Sequence, residues 1–385
     1  MVKSVQCRRR ALPTDCSLVL FLVLWLLANT CHGLSGESPK SGDGGPFAFA
    51  LLGDDPYYYS DLEKFEDLIH SLNAQDLAFV VHVGDIKHDD GRGVPVDYPD
   101  AITGCNGVTY RAMRDLFVQS VHPFVLLFGD NDWLECPGGR EAEEQRLQDL
   151  RFLFIEQGAT RLHQQKLGLI RQMAPQKHSG FCKCEDLKAY PEHVIWEHNK
   201  VLFATFNVVS YGDDEERPTG TCAEFDRREC AYKQWIEYAF DLAEEKGVAG
   251  VVIFIHASPE LHVDPNEKRR QALNGFVNVL VERLKSFKKP VLLAHGDDHC
   301  YELVQGPTAY YHSDWKTDGN TVETISLPQL TVVTTFGAPD PGSPCCKQYG
   351  WGKRKIPWVK VEADPNQPKV FSVSVQGTPC ITGGQ

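Results

Sequence analysis

The chain has 385 residues, 42% of them hydrophobic, with 52 acidic against 39 basic side chains and a formal net charge of −13. That field argues against non-specific binding to anionic lipid and against nucleic acid as a partner, since it slows the approach of polyanions except where a bound metal inverts the local potential. The length suits one large α/β domain or two smaller ones.

In chain order, residues 1–33 read as a secretory signal peptide. Lys3, Arg8, Arg9 and Arg10 give a basic start, Ser17 to Ala28 an apolar run, and small and polar residues lead out to Gly33. The run falls short of the roughly 20 residues that span a bilayer, so no stable membrane insertion is expected after signal removal; a signal anchor is the alternative. Residues 34–45 read as a disordered leader, and 46–380 as the folded domain. The destination is secretion or the lumen of the secretory pathway. With residues 1–33 set aside, 35 basic side chains face 51 acidic ones.

From Phe47 the pattern alternates strand and helix. Phe47–Gly53 predicts a strand, Ser60–Gln75 a helix behind a Ser60 cap, and Leu77–Gly84 a second strand. Val108–Ser120 predicts a helix and Phe124–Gly129 a third strand, which together imply parallel pairing with right-handed crossovers. Glu141–Met173 reads as helical and charged, and Gln176–Tyr190 as an irregular, cysteine-bearing insertion. The sheet resumes in Glu192–Ser210, two strands joined near Asn199. Cys230–Lys246 is a helix, Val248–His256 a buried strand, Glu267–Phe287 a helix and Val291–His295 a strand. The tail offers strands without helices (Tyr301–Val304, Gln329–Phe336, Trp358–Glu362, Val370–Val375), which suggests a second sheet packed on the first.

Ten of the 13 cysteines follow residue 33, and an even count in an exported chain favours disulfides. Cys182-Lys183-Cys184 and Cys345-Cys346 lack the spacing of a structural zinc site. Cys105 and Cys136 lie just after the second and third strands and are expected to pair; Cys222 with Cys230 is the next pairing.

Five strand-end signatures carry the chemistry: Gly53-Asp54-Asp55-Pro56, Gly84-Asp85-Ile86-Lys87-His88, Gly129-Asp130-Asn131-Asp132, His256, and His295-Gly296-Asp297-Asp298-His299. Each follows an apolar run, and strands buried on both faces deliver their terminal residues to one sheet edge. A single Gly-Asp there is only what turns favour; five in series point to a metal site. His82 and His295 lie inside apolar runs and read as hydrogen-bonded core residues. Tyr57, Tyr58 and Tyr59 read as an aromatic surface loop, with a substrate mouth as the alternative.

Over Phe47 to Val375 these signatures resemble the calcineurin-like metallophosphoesterase superfamily, and further stretches around Asp130, Trp196 and His295 resemble its exported, largely uncharacterised members. The resemblance implies a four-layer α/β/β/α sandwich and two divalent metal ions, Mn, Mg, Zn or Fe. It also implies hydrolysis of a phosphorylated small-molecule or protein substrate through a metal-bridging hydroxide. On that pattern Asp85 bridges the ions. The first ion takes Asp54, Asp85 and His299, and His88 completes it where the purple acid phosphatase branch carries a tyrosine; a surface loop histidine is the other reading of His88. The second takes Asp85, Asp130, His256 and Asp297. Pro56, Asp130, Asn131 and Asp297 stand where the family pattern has other residues. Asn131 replaces a histidine acid, so it is expected to orient the phosphoryl group rather than deliver a proton. A catalytically degenerate metal- or phosphate-binding protein of the same fold is the alternative.

Overall fold

A computed structural model of the chain describes residues 44–89, 99–173, 188–209, 224–317, 319–338 and 355–377. In chain order, strand β1 (Phe47–Leu52) is followed by helix α1 (Leu62–Asn73), β2 (Val80–His82), α2 (Gly107–Phe117), β3 (Phe124–Leu126) and α3 (Gly139–Leu150). Next come β4 (Ile170–Gln172), β5 (Tyr190–His198), β6 (Val201–Thr205), α4 (Glu224–Lys246), β7 (Gly250–Phe254), α5 (Asn274–Ser286) and β8 (Val291–His295). The remainder is strands: β9 (Glu302–Gln305), β10 (Thr308–His312), β11 (Val322–Ser326), β12 (Leu330–Thr334), β13 (Trp358–Ala363) and β14 (Phe371–Gln376).

The strands form a five-stranded sheet, β14-β13-β1-β2-β3, and a seven-stranded sheet, β4-β5-β6-β7-β8-β12-β9, with a separate β10-β11 hairpin. In β1 the side chains alternate between two buried faces, as a strand's period of two requires. Phe49 and Leu51 join Trp196, Phe203, Phe254 and Leu292 of the other sheet in a core between the sheets. Ala50 and Leu52 pack outward with Phe65 and Ile69 of α1 and Phe117 of α2. On the far side, Ile236 and Phe240 of α4 and Val277 and Leu280 of α5 cover the opposite face of the seven-stranded sheet. The result is an α/β fold of four layers, as expected.

The sheets are divided differently from the expectation. The tail does not make the second sheet alone: β13 extends the first sheet antiparallel to β1 and β14 pairs antiparallel with β13, while β12 joins the second beside β8 and β9 pairs antiparallel with β12. Apolar runs report burial, and they do not say which strand is the neighbour. The predicted helix over Glu267–Phe287 is also interrupted. A short turn of helix at Lys268–Gln271 precedes α5, and the buried Arg270 guanidinium donates to Glu260 O at 3.1 Å and to Asn274 Oδ1 at 2.7 Å across the break. Ser60 makes no side-chain cap for α1; its N–H donates to Asp100 Oδ2.

Cys105 and Cys136 form a disulfide with Cα atoms 6.0 Å apart, joining the segments that follow β2 and β3. Cys230 and Cys300 are each also engaged in a disulfide, which fits an oxidising compartment; Cys222, the expected partner of Cys230, lies outside the described residues. So do the signal segment and residues 176–187 of the expected insertion, whose last residue, Tyr190, instead opens β5. Gly44 and Gly45, at the end of the expected leader, are held: their carbonyls accept from Asn366 Nδ2 at 2.7 Å and Asn199 Nδ2 at 3.1 Å. Among the described residues no helix is long and apolar enough to cross a membrane.

Candidate functional site

β1, β2 and β3 run parallel in one sheet, and β6, β7, β8 and β12 run parallel in the other. Their C-terminal ends therefore deliver Asp54, Asp85, Asp130, His256 and Asp297 to one edge, where the two sheets meet. Donor atoms of Asp54, Asp85 and His256 lie within 4.8 Å of one another, and so do those of Asp130, His256 and Asp297. His256 is common to both groups: its Nε2 stands 3.4 Å from Asp85 Oδ1 and 3.1 Å from Asp130 Oδ1. Its other ring nitrogen, Nδ1, is 3.0 Å from Val83 O. A proton placed on Nδ1 by that carbonyl leaves the Nε2 lone pair for the cluster, the usual arrangement of a metal-binding imidazole.

The backbone is held unusually to achieve this. Asp54 (φ 54°), Asp85 (57°), Asp297 (71°) and His299 (58°) all occupy the left-handed region, a conformation that costs free energy for residues other than glycine and clusters at functional sites. Local bonds enforce it. Asp54 N–H donates to Gly84 O at 3.0 Å, and Asp297 N–H to Asp54 Oδ1 at 2.9 Å. Gly129 is required beside Asp85, because a Cβ there would collide with the Asp85 carboxylate.

Asp132 went unassigned in the sequence, yet it ties the second and third signatures together. It is fully buried; its Oδ2 accepts the N–H groups of Gly129 at 2.7 Å and Asp85 at 3.1 Å, and its Oδ1 accepts Ile86 N–H at 2.9 Å. The signal was present as the fourth residue of Gly129-Asp130-Asn131-Asp132. Against the surface-loop expectation, Tyr57 and Tyr58 are buried and only Tyr59 is exposed. The Tyr57 hydroxyl donates to Asp85 Oδ2 at 2.8 Å, accepts from Asn131 Nδ2 at 3.0 Å and lies 3.2 Å from His299 Nε2.

The remaining predicted residues fall around this core. Asn131 donates its N–H to Asp85 Oδ1 at 3.1 Å and to Asp130 Oδ1 at 3.0 Å. His299 Nε2 is 3.6 Å from Asp54 Oδ1, outside the two donor groups. His88 packs against the Tyr57 ring, centroids 5.3 Å apart, pairs with Asp89 and belongs to neither donor group. His82 and His295 are tied into the core, His82 Nε2 to Asp55 O at 2.8 Å and His295 Nε2 to Thr334 Oγ1 at 3.0 Å.

Crowding like charges in a dry edge is electrostatically costly. Burial, with Asp297 and Asp130 nearby and His256 opposing, pushes the Asp54 carboxyl up to about 8. Burial and the Asp130 charge push Asp297 up to about 7. Burial also holds Asp85 well above the carboxylate range, again against His256. For His256, burial works downward, but Asp85, Asp130 and Asp54 raise it well above the usual imidazole value. Divalent cations relieve this repulsion, and the donor set fits them: carboxylate oxygens with an imidazole nitrogen suit Mn, Mg, Zn or Fe.

No protein-family model matches the chain, and no curated protein matches it in sequence. Among solved structures it is similar to PhoD, with 12% identity and a TM-score of 0.48 over 88% of this chain and 73% of that one. It is also similar to a dimetal phosphatase from Danio rerio, with 11% identity and a TM-score of 0.45 over 87% of this chain and 96% of that one.

Proposed function

We propose that the chain is an exported metal-dependent phosphoesterase acting on a phosphorylated small molecule or protein. The observation that carries this is the pair of donor groups sharing His256 at the common end of the parallel strands. Asp54 and Asp85, with His299 beside Asp54, would hold one cation, and Asp130, Asp297 and His256 Nε2 a second, since that nitrogen has one lone pair to give. When bound, the cations supply Lewis acidity toward phosphoryl oxygens and acidify water at neutral pH. The chain's residues do the rest. Asn131 Nδ2 has two N–H groups, of which one is bonded to Tyr57 and the second is available to a phosphoryl oxygen. Asp132 holds the Asp85 and Gly129 backbones so that the carboxylates keep their separation.

Asn131 cannot give a proton to a departing alkoxide at useful pH. Good leaving groups are therefore favoured, and aryl phosphates should exceed alkyl esters by orders of magnitude. The same residue motivates the second reading, a metal- or phosphate-binding protein without turnover. The test is to strip the purified protein with chelator, reload it with Mn²⁺ or Zn²⁺ and follow nitrophenolate release from aryl phosphates. Metal-dependent release supports the enzyme; verified metal occupancy with no release supports the binder.

A further inference from the structure

Tyr57 follows directly on Pro56, which stands where the family pattern has a histidine, and its hydroxyl sits inside the cluster. A phenol offers one donor and two acceptor positions. Here the donor goes to Asp85 Oδ2 at 2.8 Å, one acceptor position takes Asn131 Nδ2 at 3.0 Å, and His299 Nε2 lies at 3.2 Å. The hydroxyl thus meets three residues from three different strand-end loops. Its effect on Asp85 is to divide the two carboxylate oxygens. Oδ2 is held by Tyr57, while Oδ1 receives Asn131 N–H at 3.1 Å and faces His256 Nε2 at 3.4 Å. With Oδ2 pinned, the carboxylate cannot rotate Oδ1 away from the shared imidazole.

We propose that Tyr57 is a positioning residue of this site: through its hydroxyl it fixes the rotation of the Asp85 carboxylate toward a cation and aims the Asn131 amide at the substrate's phosphoryl group. The Asn131 half of this rests on the phosphoesterase reading; the Asp85 half requires only that the site hold a cation. The ring itself is packed edge-on against His299, centroids 5.2 Å apart, so Tyr57→Phe keeps the packing and removes only the hydroxyl.

The experiment compares wild type, Tyr57→Phe, Asn131→Ala and the double variant. Mn²⁺ binding is measured by calorimetry without substrate, then kcat and KM with an aryl phosphate. Tyr57→Phe should lose roughly 10–100-fold in Mn²⁺ affinity, the scale for partners that orient a metal ligand. It should also raise KM in the wild-type background. In the Asn131→Ala background the KM increase should vanish while the Mn²⁺ loss persists, a pattern that general loosening of the fold would not produce. Unchanged Mn²⁺ affinity and KM in Tyr57→Phe overturn the proposal. If wild type binds Mn²⁺ but hydrolyses nothing, the phosphoesterase reading fails, and the affinity comparison alone upholds or overturns the Asp85 role. If wild type binds no Mn²⁺, both fail.

Discussion

Two buried acidic centres, one around Glu192 and one around Asp54, solve the same electrostatic problem in opposite ways. Glu192 on β5 is buried between guanidinium groups. Arg151 donates to it twice, at 2.9 and 2.7 Å, and Arg228 once at 3.0 Å. Burial alone would raise its carboxyl, but Arg151 and Arg228 hold it at about 2. Asp54 is as deeply buried and faces an imidazole and further carboxylates, so its carboxyl goes up to about 8. A buried charge supplied with partners by the chain belongs to the scaffold. One surrounded by like charges is shaped for a cation brought from outside. The Arg228 guanidinium also lies 4.9 Å from the ring centroid of Trp133, the residue after Asp132.

This contrast breaks most sharply at Asp85. Asp85→Asn should lower kcat/KM by more than the roughly 10–100-fold expected of a partner that only orients a ligand. The same change should leave the melting temperature of the metal-free protein equal or higher, because it removes one of the crowded charges. Steady-state kinetics and a chelated thermal melt check both halves. Loss of stability with retained turnover would place Asp85 in the scaffold class instead.

Glu192→Gln should behave in reverse. Removing one partner of a buried ion pair costs about 3–5 kcal/mol, to be read in denaturant unfolding, while kcat of the folded fraction stays within about threefold.

The pH dependence of that scaffold has a definite sign. Glu192 is depressed in the fold, so its contribution is fully present above the ordinary value of 4.5 and is lost as pH falls through about 2; the shift corresponds to about 3 kcal/mol. His193 beside it is held neutral, burial pushing it down to about 3, which also removes stability as pH falls below the ordinary imidazole range. Unfolding curves taken from pH 7 downward should therefore weaken progressively, and less so in Glu192→Gln.

How much of this was legible differs between the centres. The strand-end loops could be read because parallel strands send their terminal residues to one edge whatever their order in the sheet, so the gathering of Asp54, Asp85, Asp130, His256 and Asp297 was legible without knowing the strand neighbours. Tyr57 and Asp132 were not found. Tyr57 sits in a run of three tyrosines whose burial depends on the β1 loop folding inward, and Asp132 acts on backbone N–H groups that sequence spacing does not reveal. The Arg151–Glu192–Arg228 network was invisible for a related reason: its members come from the end of α3, β5 and α4, and no local pattern links them. The division of tail strands between the two sheets was likewise a matter of long-range pairing.

The Cys105–Cys136 bridge lies beside the site, and its loss should sharpen the comparison by the smallest margin. It closes a loop with a sequence separation of 31, for which unfolded-state entropy gives about 3–4 kcal/mol. The Cys105→Ser/Cys136→Ser pair should lose about that much in unfolding free energy, with a change in Mn²⁺ affinity smaller than that of Tyr57→Phe.

The central claim is that the strand-end acids hold cations, and counting metal tests it directly. Wild type and Asp85→Asn, stripped and then dialysed against equal Mn²⁺ and Zn²⁺, are analysed for bound metal per chain. Wild type should retain about two ions, as dinuclear hydrolases do, and Asp85→Asn should fall well below that. Wild type that retains none, or an Asp85→Asn protein that keeps the full complement, would contradict the account.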